Sequence, residues 1–563
     1  MAQALETKSE HKLTAKKVLF LNPFLDSCIE STMEVVDFDP RGHFFLDTPL
    51  GLVFLYSYAK EMLKDIDFSV LDAHAKLVAD ADKGMEYNWN RTLDQIEEIA
   101  PSVIGISCCY YRASTLFHET CKRIKERFPE VVIIVGGNYP TDFCEQVLDD
   151  NNIDYVVLSE GEGPLVGFLK AYFYDGKMDE IPGLRYRTET GITHIFSEKS
   201  REHFVDLNYL PPLDRSKFPM DQYGHGRSPL DRIYGSKDNY RELSMCVSRG
   251  CPYECTFCNA MNFWDRKLRY RDTDSVLDEM EQLRDEYGAT VVLINDDNFL
   301  LNKKRVTAIC EGMIKRDLGL DWVANGGSNV RVLLDAEYLD LIIESGFCLF
   351  NLAIESGSQE TLEKIKKPLD IDEVWQLVEQ IRKKYPHMWL NGHFILGFPF
   401  ETKQDILDTI KFSADLQLDW NTYSIFKPFP NTELYDYSIE HGFMEEFDPS
   451  CVDNISTIDG IDWKREWTTD IAYEANLQTN FFENTNLMNR EKHLDQALRD
   501  FEYVISLMGG THPLAYRQAA ITAKRMGIPD KPEKYFELEK QLLKANDFYH
   551  RWYKKFNIPL PAV

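Results

Sequence analysis

Three cysteines stand within eight residues of one another near the middle of the chain, in Cys251-Pro-Tyr-Glu-Cys255-Thr-Phe-Cys258. Spacing this tight lets one loop aim three thiolates at a single centre, and both iron–sulfur clusters and zinc take thiolate ligands. Zinc would need a fourth ligand. Cys246 is near, but it lies in a strand pattern and points elsewhere unless the strand bends. Structural zinc also usually draws two pairs of ligands from separate loops, and no second pair is present. Three ligands in one loop suit a cluster with one iron left open. Of the other cysteines, Cys28, Cys121, Cys310 and Cys348 stand singly in apolar surroundings and are expected as small core residues.

Positioning such a loop takes a rigid scaffold. The chain has 563 residues, too many for one core, so two or three domains are expected. After a polar first 16 residues, read as a disordered tail, strand and helix patterns alternate. Strands are predicted at Lys17–Asn22, 68–71, Val103–Ser107, 131–135 and 155–158, with helices at 50–63, 113–128 and 142–148. This is the pattern of a doubly wound α/β domain over 17–180, which binds ligands at the carboxyl ends of its strands. A proline-punctuated stretch, 181–240, with two hairpin-like runs, reads as a surface linker. Six further strands are predicted over 241–440, at 243–247, 291–295, Asp321–Ala324, 350–354, 391–396 and 422–426. They imply a partial or complete (β/α) barrel with its chemistry at the strand carboxyl ends. Residues 441–563 read as a helical domain, expected to close over the barrel and shape a substrate pocket.

The C-x3-C-x2-C loop with an aromatic before its last cysteine resembles the radical S-adenosylmethionine (SAM) signature, and 243–440 resembles that superfamily strand by strand. Asp296-Asp297-Asn298-Phe299 is similar to the segment that recognises the SAM amino group. Residues 325–329, with Ser328, stand where the SAM carboxylate is often held. Glu355-Ser356-Gly357 resembles the ribose-binding element. Gly397-Phe398-Pro399-Phe400-Glu401-Thr402 resembles G-x-P-x-E-T, and Lys427-Pro428-Phe429-Pro430-Asn431-Thr432 resembles P-x-P-G-T with Asn431 for Gly. The resemblance implies a [4Fe–4S] cluster on Cys251, Cys255 and Cys258. It also implies SAM contacts from Phe257, Asp296, Asp297, Ser328, Glu355, Ser356 and Gly397. Reductive cleavage of SAM to a 5′-deoxyadenosyl radical would follow, fed by a one-electron reductant of flavodoxin or ferredoxin type. Taken singly, Glu355-Ser356 could be a helix cap and 397–402 a plain strand-to-helix turn.

The amino-terminal domain resembles the cobalamin-binding domain of cobalamin-dependent radical SAM enzymes. Thr48-Pro49-Leu50-Gly51-Leu52 is similar to P-P-L-G-L. Gly136-Gly137-Asn138-Tyr139-Pro140-Thr141 is similar to G-G-x-H-P-T with Tyr139 for His. Ser159-Glu160-Gly161-Glu162 is similar to G-E-G-E. The resemblance implies that cobalamin contacts Pro49, Leu50, Gly51, Gly136, Gly137, Tyr139, Pro140, Thr141, Ser159, Glu160 and Gly161. By position after the Val103–Ser107 strand, Cys109, Tyr110 and Tyr111 are expected to pack under the corrin. Asp72-Ala73-His74 begins like D-x-H-x-x-G, but Leu77 stands where its Gly belongs, so His74 is read as a surface or loop histidine.

The resemblance implies a methyltransferase acting on an unactivated carbon of a small molecule, with methylcobalamin as methyl donor. The rivals are a non-methylating cyclase or rearrangement enzyme on the same scaffold and a zinc-stabilised binding protein. A net charge of −29 argues against nucleic acid and anionic membrane partners. No run approaches the roughly 18 apolar residues of a membrane span, and the polar start with only a short apolar run after it does not read as a signal peptide. A reducing, cytoplasmic location with thiols free or on metal is the expectation.

Overall fold

The computed structural model describes residues 16–25, 46–189, 191–193, 204–225, 228–235, 239–264, 266–445, 447, 455–488 and 493–560. Residues 1–15 of the expected tail and Cys28 lie outside these residues.

The first sheet is built from β1 (Lys17–Asn22), β2 (Asp67–Asp72), β3 (Val103–Ser107), β4 (Val132–Gly136), β5 (Tyr155–Val157), β6 (Leu184–Thr188) and β7 (Gly191–Ile192), in the order β2-β1-β3-β4-β5-β6-β7. The first five strands are parallel and the last two antiparallel. β1, β3 and β4 are buried along almost their whole length, as expected of parallel strands covered on both faces. Helices Leu50–Met62, Ala73–Ala79, Met85–Ile99, Ser114–Arg127 and Glu162–Phe173 supply the cover. The reversal of direction from β1 to its two neighbours makes the switch point where such sheets bind ligands.

The second unit has six parallel strands in two halves. β8 (Glu242–Met245), β11 (Val291–Ile294) and β12 (Asp321–Ala324) form one; β13 (Leu349–Glu355), β14 (Trp389–Leu396) and β15 (Trp420–Ile425) form the other. Parallel bridges Trp322–Phe347 and Ser328–Leu352 join the halves between β12 and β13. The result is an open (β/α)6 barrel. Two short strands, β9 (Ser248–Arg249) and β10 (Arg269–Tyr270), pair antiparallel on either side of the cysteine loop.

Three expectations need correction. The described residues of 181–240 are not a surface linker. Strands β6 and β7 form the hairpin that extends the first sheet. Beyond it, Leu213, Phe218, Met220 and Tyr223 are buried in the core. The Tyr223 hydroxyl donates to Asp72 at 2.6 Å, and Arg215 pairs with Glu279 of helix Thr273–Asp285. The segment is a splint between the two domains, because its apolar residues find cover on both. His74 is not a surface or loop residue: it is buried in the first turn of helix Ala73–Ala79. The Asp72 side chain caps that helix by accepting the Ala75 N–H, which carries His74 inward.

The third correction concerns the carboxyl-terminal helices. Leu494–Leu507, Pro513–Arg525 and Lys531–Ala545 do not close over the strand ends. They pack on the opposite face, in a core shared with Val291, Leu349, Trp389 and Trp420, the first residues of their strands. Arg232 lies between them, its guanidinium 4.0 Å from the Trp420 ring and 4.4 Å from Tyr503. Among the described residues of 441–563, Phe447 and 455–476 approach the strand carboxyl ends, where Phe447 packs on Phe429 and Trp463 Nε1 donates to the Glu401 carbonyl at 2.8 Å.

Candidate active site

The cysteine loop is held from two sides. From the barrel, Asp296 accepts the Val247 N–H at 2.7 Å and the Ser248 hydroxyl at 2.5 Å. Burial pushes its pKa up to about 7, against the bonds from Ser248 and Val247. Asp297 accepts the Gly250 N–H at 3.3 Å, and the Asn298 amide lies 3.7 Å from Cys251 Sγ. From the first domain, Glu160 and Glu162 take Arg249 at 3.0 and 2.6 Å, and Glu160 also takes Arg269. All four side chains lie within the protein, and Arg249 is further sandwiched by Phe54 and Trp264. The loop thus sits in the seam between the domains.

Cys251, Cys255 and Cys258 are each half-buried and lie within electrostatic reach of one another. Burial pushes the Cys255 thiol up to about 12 and raises that of Cys258. Thiols so disfavoured as bare thiolates are stabilised by a metal centre that takes their charge. Among the described residues no three His, Cys, Asp or Glu side chains converge tightly enough for a single ion. Cys246 is turned away, its Sγ 3.2 Å from the Ser248 carbonyl. Three half-buried thiols in one loop, with Cys246 turned away, fit a cluster on three thiolates. Cys121 and Cys310, by contrast, are fully buried core residues, and Cys348 is partly buried.

The other residues named for SAM gather at the barrel's strand ends. The Phe257 ring lies 5.7 Å from that of Phe398. Ser328 is buried with its hydroxyl unpartnered. A bulge at the end of β13 places Glu355 at φ +70° and turns its carboxylate to Lys367 at 2.8 Å. Ser356 is committed below, 3.0 Å from the Thr409 hydroxyl. Gly397 has φ +86°, and an added Cβ there would meet Thr468 at 2.7 Å, so the turn needs glycine. Glu401 holds that turn by accepting the Gly397 and Phe398 N–H groups at 3.1 and 2.9 Å.

The cobalamin candidates divide. Tyr110 is about half exposed (51%), yet the surrounding protein desolvates its hydroxyl and raises its pKa, and the same holds for the Cys109 thiol. A group that is open to solvent and still desolvated lines the wall of a recess. Gly51 opens onto free space at the start of helix Leu50–Met62. Gly137, at φ +110°, lies so close to Cys108 that a Cβ would meet its carbonyl at 2.5 Å. The Thr141 hydroxyl ties the 136–141 turn to Ser159 N at 3.0 Å. The donors and glycines at this sheet's end thus suit a bulky ligand. Tyr139 turns inward instead, buried with its hydroxyl 3.0 Å from His118. Tyr111 is engaged at the seam: it stacks on Phe429 at 5.2 Å and donates to Asp142, while Asn259 donates to both Tyr111 and Asp142 at 2.8 and 2.5 Å. The Glu160 side chain is committed to its two arginines.

A polar cluster inside the barrel escaped sequence reasoning. Asn351, Asn391, His393 and Thr422 project inward from β13, β14 and β15. Asn391 Nδ2 lies 2.9 Å from His393 Nε2, Asn351 Oδ1 is 3.3 Å from the same nitrogen, and the Thr422 hydroxyl donates to Asn391 at 3.0 Å. Burial lowers the His393 pKa, so the ring is neutral at physiological pH. Ser424 and Asn325, on the same inner face, are exposed, so the lumen is open. The available signal was polar residues at alternate positions in strands that should read as unbroken apolar runs. The two sheets' carboxyl ends face each other across a bond from Asn295 to Asp47 at 3.2 Å, with Asp47 close enough to Tyr110 to raise its pKa.

Two family descriptions match the chain: the Radical SAM superfamily over residues 245–413 and the B12 binding domain over 48–169. The cytidylyl-2-hydroxyethylphosphonate methyltransferase of Streptomyces wedmorensis is 28% identical over 76% of this chain and 83% of its own. The anaerobic magnesium-protoporphyrin IX monomethyl ester cyclase of Cereibacter sphaeroides is 27% identical over 65% of this chain and 60% of its own. The fold is that of the radical SAM methyltransferase TsrM from Kitasatospora setae, solved with cobalamin and a [4Fe–4S] cluster (TM-score 0.61, 16% identity, 95% of this chain and 100% of that one). These matches overturn the zinc-stabilised binding protein. Among the described residues no helix is long and apolar enough to cross a membrane. With its thiolate loop clamped between them, the chain is an enzyme that carries a B12 binding domain over 48–169 and a radical SAM domain over 245–413.

Proposed function

We propose that the enzyme is a cobalamin-dependent radical SAM methyltransferase that methylates an unactivated carbon of a small molecule held in the barrel lumen. The observation that carries this reading is the apposition of the two sheet ends. The cluster loop is fixed in the seam by Arg249, Asp296 and Asp297, and the Tyr110 recess faces the barrel across Asp47 and Asn295. Cys251, Cys255 and Cys258 would hold a [4Fe–4S] cluster. Asp297, Ser328, Glu355 and the 397–402 turn would hold SAM, and Gly51, Cys109, Tyr110, Gly136 and Gly137 would line the cobalamin site. When bound, cluster and SAM supply an organic radical, and cobalamin a methyl group, that no side chain can provide.

The chain's own part is orientation and exclusion of water. The seam network of Tyr111, Asp142, Asn259 and Phe429 closes the domains against each other around the reacting space. Neutral His393, with Asn351, Asn391 and Thr422, offers hydrogen bonds rather than charge to a substrate. Among the lumen residues named here none is a cation, so an uncharged polar group of the substrate fits better than a phosphonate. The electron enters from a one-electron donor of flavodoxin or ferredoxin type. The acidic surface and lack of a membrane-crossing helix among the described residues support a cytoplasmic enzyme with neither nucleic acid nor membrane as partner.

The test is anaerobic reconstitution with iron, sulfide and cobalamin, followed by incubation with methyl-labelled SAM and reductant. Label on cobalamin together with 5′-deoxyadenosine supports the reading. If 5′-deoxyadenosine forms and label never leaves SAM, a non-methylating reaction of the cyclase type replaces it.

A further inference from the structure

The turn 365–367 is pinned against the cysteine loop at two points. The Thr256 N–H donates to the Ile365 carbonyl at 3.0 Å, and Cys255 Sγ lies 3.8 Å from the Lys366 carbonyl. Lys366 adopts φ +55°, which sends the next side chain back towards the loop. There Lys367 meets Glu355 at 2.8 Å, with both side chains largely buried (20% and 12% exposed). Glu355 reaches this place only through the strained bulge that ends β13.

We propose that Lys367 and Glu355 are an opposed pair of charges that sets the reduction potential of the cluster. This rests on the assignment of a [4Fe–4S] cluster to Cys251, Cys255 and Cys258. Three thiolates already leave that site anionic, and reduction by one electron, delivered by a donor of the flavodoxin or ferredoxin class, adds a further negative charge. A buried ammonium beside the loop favours the reduced state, and a buried carboxylate beside the loop disfavours it. Screening by water is weaker here than at the surface, so both charges are felt at the loop. The contact of Cys255 Sγ with the Lys366 carbonyl places the Lys367 end of the pair at the thiolate loop.

The pair also explains why a lysine is buried here at all. An isolated ammonium at this depth would lose its proton or its place, and Glu355 prevents both. Lys367 is a positioning and tuning residue rather than a catalytic one, because nothing in the structure places it on a reacting atom.

The experiment is an anaerobic redox titration of the reconstituted full-length protein without SAM, followed by the EPR signal of the reduced cluster and normalised to iron and sulfide content. Lys367→Met should make cluster reduction about ten-fold less favourable, a fall of about 59 mV for a one-electron couple. Glu355→Gln should shift the potential the opposite way, and Lys367→Arg should stay near wild type. The double variant should fall between the two single ones. Shifts of the same sign in Lys367→Met and Glu355→Gln, or no shift in either, overturn the proposal, since a purely structural role does not produce opposite signs. Should Lys367→Met fail to assemble a cluster, Glu355→Gln alone decides: an unchanged or lowered potential contradicts the inference. Failure of wild type to yield any cluster signal would instead count against the cluster assignment itself.

Discussion

Arg249 of the cysteine loop and Glu162 of the first domain are joined by a 2.6 Å ion pair, buried on both sides. The Ser159-Glu160-Gly161-Glu162 motif, expected to face cobalamin, thereby also grips the strand that leads into Cys251. The proposed cobalamin and cluster sites share one mechanical element.

Removing that arginine leaves Glu160 with only Arg269 and leaves Glu162 without its cationic partner. Breaking a buried pair from one side costs about 3–5 kcal/mol. Arg249→Ala is expected to lower both iron and cobalamin content after reconstitution, whereas Arg249→Lys keeps part of each. Metal and corrin counts on the two purified variants check this. Loss of one cofactor with full retention of the other would break the link drawn here.

Tyr110 gives a cleaner probe of the recess, because a half-exposed residue contributes little to folding. Tyr110→Ala should leave the thermal midpoint within about 2 °C of wild type. It should weaken cobalamin binding several-fold, read from the corrin absorption in an equilibrium titration. Tyr139→Phe, a change in a buried ring away from the recess, should leave corrin affinity unaltered.

Glu401 carries a pH signature. Burial raises its pKa to about 8 even though backbone N–H groups and Thr361 favour its ionised form. A carboxyl raised in the folded state contributes stability below its unfolded value, near 4.5, and loses it as pH rises through about 8. The thermal midpoint should therefore drop between about pH 5 and 8 as the 397–402 turn loosens. Glu401→Gln should flatten that drop. Scans across this window with both proteins test it, and an equal fall in the variant would locate the effect elsewhere.

The lumen makes a prediction of a different kind. His393→Ala removes a hydrogen-bonding ring that holds Asn351 and Asn391 in place. Transfer of label from SAM to cobalamin should persist in this variant, since His393 lies inside the barrel rather than in the seam. Methylation of the carbon substrate should fall at least ten-fold.

Much of this was legible in the residues themselves. The strands of the first sheet and of the barrel stand out because parallel strands buried on both faces read as dense apolar runs: Val103–Ser107 and Asp321–Ala324 fall where that pattern places them. The cysteine loop is readable because its chemistry is local, three ligands in one turn. What escaped was set by contacts between distant segments. Arg249 looks like any strand-end arginine until Glu160 and Glu162 are brought to it. Lys367 sits in an unremarkable Lys-Lys-Pro turn, and only the bulge at Glu355 gives it a partner. The stretch 204–235 reads as polar loop because its few apolar residues, among them Phe218 and Tyr223, follow no helical or strand period. The helices after 494 carry a clear periodicity but nothing that says which end of the barrel they cover. The answer lies in Trp389 and Trp420, aromatic residues at the strand starts that demand a partner on that side.

The central claim is that three thiolates, clamped between the two domains, support both radical formation from SAM and methyl transfer through cobalamin. The most direct measurement is anaerobic incubation of wild type and of Cys255→Ala with methyl-labelled SAM, cobalamin and a one-electron reductant, with 5′-deoxyadenosine and corrin-bound label quantified together. Wild type should yield both, and Cys255→Ala should lose 5′-deoxyadenosine entirely. Undiminished 5′-deoxyadenosine from Cys255→Ala, or a wild type that cleaves SAM yet never labels the corrin, would contradict the account.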